Sequence, residues 1–244
     1  MNNALRKALA ASQLTETDVA AHLGVDPKTV RRWLSGQRPY PRHRWALSEL
    51  LKASEGELWP DGNPAPQPQG RSIGKGCHVY PHRWEVPEEV WRDLFESADR
   101  EIGILVYCGL FLADNTGILR IFERKAKSGV NVRILLGDPD SPQVEQRGEE
   151  EGIGDALRGK VQNALVLYRP LVEVDGLEVR LHGSVLYNSI YLTEKHLLAN
   201  HHIHGVSASR SPVLRISRTL LPDMAETYIQ SFERIWYEAR PFKA

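Results

Sequence analysis

Lys28, Thr29, Arg31 and Arg32 fall within the five residues 28–32, and their chemistry suits a nucleic acid. Arginine binds guanine bidentately, a threonine contacts a thymine methyl or hydrogen-bonds, and lysine pairs with phosphate. Thr15, Thr17 and Arg38 flank them and complete the set expected to face a duplex. A second group, Tyr107, Cys108 and Asp138, stands at or just past the strand-like runs of two apolar segments, where ligands of open α/β sheets collect. A third is histidine-rich: His201, His202 and His204, with His196 nearby. On a strand His202 and His204 would share a face. No carboxylate or cysteine close in sequence completes a ligand set, so neither metal nor cofactor is expected.

Helices must position the first group. In TETDVAAHLGVDPKTVRRWLSG, residues 15–36, Thr15 with Asp18 resembles a capping box and starts a helix with Val19, Ala20 and Leu23 inward. Gly24 ends it, because the sharp turn needs a positive φ. Asp26 caps the next helix, with Pro27 at its first position, where the missing N–H costs nothing. Val30, Trp33 and Leu34 then face the core, which leaves Lys28, Thr29, Arg31 and Arg32 outward. This stretch, continued to QRPYP, resembles the helix-turn-helix of phage-repressor and Cro-like (XRE-type) regulators over roughly residues 3–58. The resemblance implies double-stranded DNA as partner, with the second helix in the major groove. Glu16 departs from it, standing where that family often has glutamine.

Charge supports the same division. The net charge is zero, yet residues 1–44 hold eight Lys/Arg against three acids, so the remainder sums to −5. A basic end on an acidic body is an electrostatic footprint for a polyanion. Four prolines within Pro60–Gly70 mark a spacer. The expected organisation is therefore an all-α domain at 1–59, a proline-rich linker at 60–74, and an α/β domain at 75–244 for sensing or dimerisation. The longest nearly uncharged apolar run, 102–113, is shorter than a membrane span, the N-terminus lacks the apolar core of a secretion signal, and two cysteines make no disulfide framework. A cytoplasmic protein is expected.

In the second domain, 101–112 reads as a buried strand running into a loop, 117–127 as a helix with Leu119, Phe122 and Ala126 inward, and 129–138 as a strand alternating Val130, Val132, Ile134 and Leu136. Strands follow at 178–184 and 189–193, then a helix at 224–239 with Tyr228, Phe232, Ile235 and Trp236 inward. Glu149–Glu151 reads as an exposed helix start within a mobile loop ahead of a helix at 156–168, and Cys108 as a small core residue. This order, with GVNVRILL and a histidine-bearing strand, resembles the phospholipase D-like fold over about 90–240. That family's signature is H-x-K followed after four residues by aspartate. Here His182 holds the histidine place, while Ser184 and Ser189 stand where lysine and aspartate belong. A serine hydroxyl carries no charge to stabilise the transition state, so the resemblance implies a catalytically silent domain. It leaves a polar cluster of His182, Ser184, Tyr187, Asn188 and Tyr191, beside Tyr107 and Asp138, suited to a small anionic or sugar-like ligand. It also implies a homodimer, since one motif per chain usually pairs with a second. The alternatives are a phosphodiesterase or nuclease using His182, with Lys195 or Arg180 as the missing cation, and an adaptor that docks a partner protein.

Overall fold

The computed structural model describes residues 2–12, 14–37, 39, 41–53, 55–59 and 71–243. Arg38 and residues 60–70 of the spacer lie outside them. The chain forms two compact units, Met1–Pro66 and Gln67–Ala244.

The described part of the first unit is helical: α1 (Asn3–Ala11), α2 (Glu16–Leu23), α3 (Pro27–Leu34), α4 (Pro41–Leu51) and α5 (Glu55–Leu58). Local chemistry sets its boundaries. Thr15 and Asp18 bond reciprocally, the Thr15 amide to Oδ2 at 2.8 Å and the Asp18 amide to Oγ1 at 3.2 Å. Such a cap is worth about 1 kcal/mol. The hydroxyl and amide of Thr15 also hold the Asp18 carboxyl below its usual pKa. Gly24 takes φ +63°, and Asp26 accepts the Lys28 amide at 2.7 Å. Leu5, Val19, Val30, Trp33 and Leu47 fill a shared core. Asn2 ties its ends, donating from its amide to the Leu34 carbonyl and from its side chain to that of Leu58.

The second unit is mixed α/β, built on a sheet of β1 (Arg71–Ser72), β2 (Cys77–Tyr80), β3 (Glu101–Val106), β4 (Asn131–Gly137), β5 (Leu177–His182), β6 (Asn188–Thr193), β7 (His196–His201), β8 (Val213–Ser217) and β9 (Arg240–Pro241). Their order is β1-β2-β8-β7-β6-β3-β4-β5-β9. β3, β4 and β5 are parallel, and the other pairs are antiparallel. Arg71 and Ser72 thus belong to the sheet and not to the linker read over 60–74. The remaining helices are α6 (Glu88–Glu96), α7 (Leu110–Ala113), α8 (Thr116–Lys127), α9 (Pro142–Glu150), α10 (Ala156–Tyr168) and α11 (Pro222–Glu238).

Sequence periodicity locates β3, β4, β5, β6, α8, α10 and α11 but blurs some of their limits. The apolar run 102–113 divides into β3, a turn at Gly109 (φ +58°) and α7. β4 buries Leu135 as well as the alternating residues, as a central parallel strand must when both faces are covered. In α8 the buried stripe is Ile118, Ile121, Phe122 and Ala126, with Leu119 only partly covered. Glu149 and Glu150 end α9 instead of starting a helix; Glu150 and Glu151 grip the buried Arg147 guanidinium at 3.4 and 2.8 Å. The acidic run reads as a loop only if its cation is overlooked.

Helix α11 lies across one face of the sheet because Gly103 lets it approach: a Cβ there would stand 3.1 Å from Phe232. Arg133 fastens it, bonding Glu233 through both terminal nitrogens at 2.7 and 2.8 Å and Glu101 at 3.3 Å, with its guanidinium over the Phe232 and Trp236 rings. Arg218 adds a 2.6 Å bond to Glu101.

Candidate functional site

On α3, Lys28, Arg31 and Arg32 are exposed and Thr29 is half-buried, while Val30, Trp33 and Leu34 anchor the opposite face. Thr17 is exposed on α2. Thr15 is exposed too, but its hydroxyl is engaged with Asp18. Glu16 reaches across the turn to Arg31, Oε2 to Nε at 3.1 Å. The acid that breaks the expected pattern therefore shares its charge with a cation of the next helix.

In the second unit the expected cluster divides. His182, at the end of β5 opposite Gly137, is buried. Its Nε2–H donates to the Val106 carbonyl at 3.1 Å, and its Nδ1 accepts the Ser184 amide at 3.3 Å. Both ring nitrogens are thus used by backbone in one neutral tautomer, and burial pulls the pKa down to about 4. A nucleophilic imidazole needs a free lone pair aimed at its target, and this ring has none. The proposed substitute cations stand elsewhere. Lys195 follows Thr193, which pairs with Ile102 at the start of β3, the opposite end from Val106; it bonds Asp99 at 2.6 Å and the Ser97 carbonyl. Arg180 bonds Glu178 and the Trp236 carbonyl. Asp138 pairs with Arg240 at 2.8 Å and closes the β9 edge. Ser184 and Asn188 are half-buried, and Tyr187 is 80% exposed.

Tyr107 and Tyr191 belong to a different place, a cavity of about 190 Å³ beside the ends of β3 and β6. Ser189 and His202 line it with them. The Ser189 hydroxyl lies 2.9 Å from His202 Nε2, and His202 Nδ1 lies 3.1 Å from the Leu186 carbonyl. With Nδ1 protonated against that carbonyl, Nε2 accepts from serine. Burial, reinforced by the Arg147 charge, pulls the His202 pKa to about 4, so the ring is neutral. Tyr107 stacks on it, ring centres 5.5 Å apart, and lies 5.9 Å from His182 on the other side; its hydroxyl accepts the Leu186 amide. Burial also raises the Tyr191 hydroxyl to about 12.

Arg83, Lys160, Ser207 and Ser209 add further polar groups to the lining. None was marked by sequence reasoning, which took Ser189 only as a lost aspartate. On a strand His202 and His204 would share a face, yet β7 ends at His201, and His202 turns to the cavity while His204 is exposed. Among the described residues no three His, Cys, Asp or Glu side chains converge as metal ligands, and no helix is long and apolar enough to cross a membrane.

No family model and no curated protein matches the chain. Among solved structures, similarity extends to Nuc from Salmonella typhimurium, a phospholipase D family member (16% identity, 69% of this chain and 98% of that one, TM-score 0.41). It extends also to TrmBL2, an archaeal chromatin protein (16%, 89% and 72%, TM-score 0.46). A third is phosphatidylserine synthase from Haemophilus influenzae Rd KW20 (14%, 79% and 47%, TM-score 0.46). At this distance the likenesses leave function to be argued from the sites themselves.

Proposed function

We propose that this chain is a sequence-specific DNA-binding transcription regulator that works as a homodimer, with a second unit that senses an effector or partner and is catalytically silent at His182. The observation that carries the reading is α3: a capped helix, set by the Gly24 turn behind α2, that buries Val30, Trp33 and Leu34 and exposes Lys28, Arg31 and Arg32. That arrangement gives a rigid helix whose free face holds base- and phosphate-reading side chains. A second copy would cover Val185, Tyr187 and Ile203, apolar side chains left exposed on adjoining loops; the Tyr187 carbonyl accepts the amide of His202, next to Ile203. A two-fold dimer reads two half-sites about 34 Å apart. The phosphodiesterase alternative would require the His182 ring to release one of its two backbone hydrogen bonds.

Selection of bound duplexes from a random pool tests the reading. Recovery of an inverted repeat, together with a dimer by sedimentation, supports it. A strict monomer that binds a half-site as tightly as the repeat overturns the dimer.

A further inference from the structure

The cavity beside β3 and β6 holds a charge that the protein itself does not balance. Arg83 lines it, and its guanidinium lies 3.9 Å from the centre of the Phe111 ring. Its Nε is buried with no hydrogen-bond acceptor. Among the described residues no carboxylate stands within ion-pair reach of Arg83 or of Lys160, the other lining cation. The lining acid, Glu151, is already committed to Arg147 at 2.8 Å. Arg83 is half-buried, and a partly desolvated guanidinium without an anion carries a cost that the ring beneath it offsets only in part.

A second unmatched polar group stands behind the wall of the same cavity. The Tyr168 hydroxyl is completely buried and has no partner, and it lies 3.8 Å from where a Cβ on the lining residue Gly109 would stand. Native proteins leave few buried polar groups unmatched. Arg83 lines the cavity itself, while Tyr168 Oη lies behind its wall, next to the lining residue Gly109. On its other wall the Ser189–His202 pair is neutral and locked by the Leu186 carbonyl, and Phe111, Leu110 and Leu157 supply apolar surface.

We propose that this cavity binds a small organic carboxylate, its carboxylate on Arg83 with Lys160 at the mouth, and its body against Phe111 and Leu157. Guanidinium favours a carboxylate because two parallel N–H···O bonds match its planar fork, and the terminal nitrogens of Arg83, on a half-buried side chain lining the cavity, are the two that would reach it. Ser189 and Tyr191 line the same cavity; the Ser189 oxygen, whose proton goes to His202, is left to accept from a ligand hydroxyl. This deepens the sensing role proposed for the second unit by naming the site and the class of effector. The site itself, however, does not depend on the DNA reading.

Calorimetry on the full chain without DNA tests it, with benzoate and hexanoate as probes, benzamide as the uncharged control and phenyl phosphate as the other oxyanion. Saturable 1:1 binding of a carboxylate, absent for benzamide and weakened about tenfold or more by Arg83→Gln, supports the proposal. Lys160 is exposed, so Lys160→Met leaves folding intact and should weaken binding severalfold. Failure of both carboxylates to bind at millimolar concentrations, or binding indifferent to both substitutions, overturns the site. Preference for phenyl phosphate over benzoate overturns the carboxylate assignment. Because no DNA is present, these outcomes are distinct from failure of the DNA-binding reading.

Discussion

Arg31 Nε and Glu16 Oε2 meet at 3.1 Å across the Gly24 turn, so a cation on the exposed face of α3 is held by an acid from α2. The pair is open to solvent and contributes little to stability, but beside a phosphate its acid would repel. Glu16→Gln should therefore tighten DNA binding severalfold and steepen its salt dependence by about one phosphate contact, with thermal stability within about 1 kcal/mol of the parent. Fluorescence anisotropy across a salt series checks this; unchanged or weaker binding would show that Arg31 needs Glu16 for its orientation.

His182 and His202 make the fold acid-sensitive. Both have pKa values of about 4 in the folded chain, against about 6.5 when unfolded. Their neutral state is free of penalty above the unfolded value. As pH falls from about 6.5 to about 4 the unfolded chain takes up protons that the folded chain refuses, and stability declines by up to about 1.4 kcal/mol per pH unit for each ring. Urea midpoints measured over that window should fall steeply in the parent and less steeply in His202→Gln. A flat profile would contradict burial of both rings in the neutral form.

Arg147 is 4% exposed. Besides Glu150 and Glu151, it donates to the Val206 carbonyl at 2.9 Å and so pins the loop that follows His202. Arg147→Met should cost about 3–5 kcal/mol by leaving buried acceptors unmatched, and Arg147→Met/Glu151→Gln should cost less than the single change. Chemical denaturation reads both; equal costs would mean that the Glu151 contact is incidental.

Building an H-x-K motif into this chain should fail. Ser184→Lys, alone or with Ser189→Asp, should give no hydrolysis of bis(p-nitrophenyl) phosphate above background, because the His182 nitrogens stay bonded to Val106 and Ser184 backbone. Turnover that disappears on adding His182→Ala would show that the ring can be released.

The contrast between the two units is one of range. The α2–Gly24–α3 boundaries were legible because Thr15 with Asp18, and Asp26 with Lys28, are partners within three residues. The run of strands from β3 to β6 was legible from apolar runs. The cavity was not, since Ser189 meets His202 only through the pairing of β6 with β7, and Arg83 arrives from a segment about a hundred residues earlier. Histidine at position 182 looked functional by its motif, yet what decides its chemistry is the Val106 carbonyl, 76 residues away in sequence. Residue types signalled polarity in this unit but not which groups would be consumed by the backbone.

Footprinting on the strongest site found by genome-wide occupancy, with the parent chain and an Arg31→Ala/Arg32→Ala variant side by side, tests the central claim most directly. A discrete protected inverted repeat, lost in the variant at equal concentration and equal folding, is the predicted result. Diffuse, salt-sensitive occupancy without a shared motif, or protection that survives loss of both arginines, would contradict a regulator that reads DNA through α3.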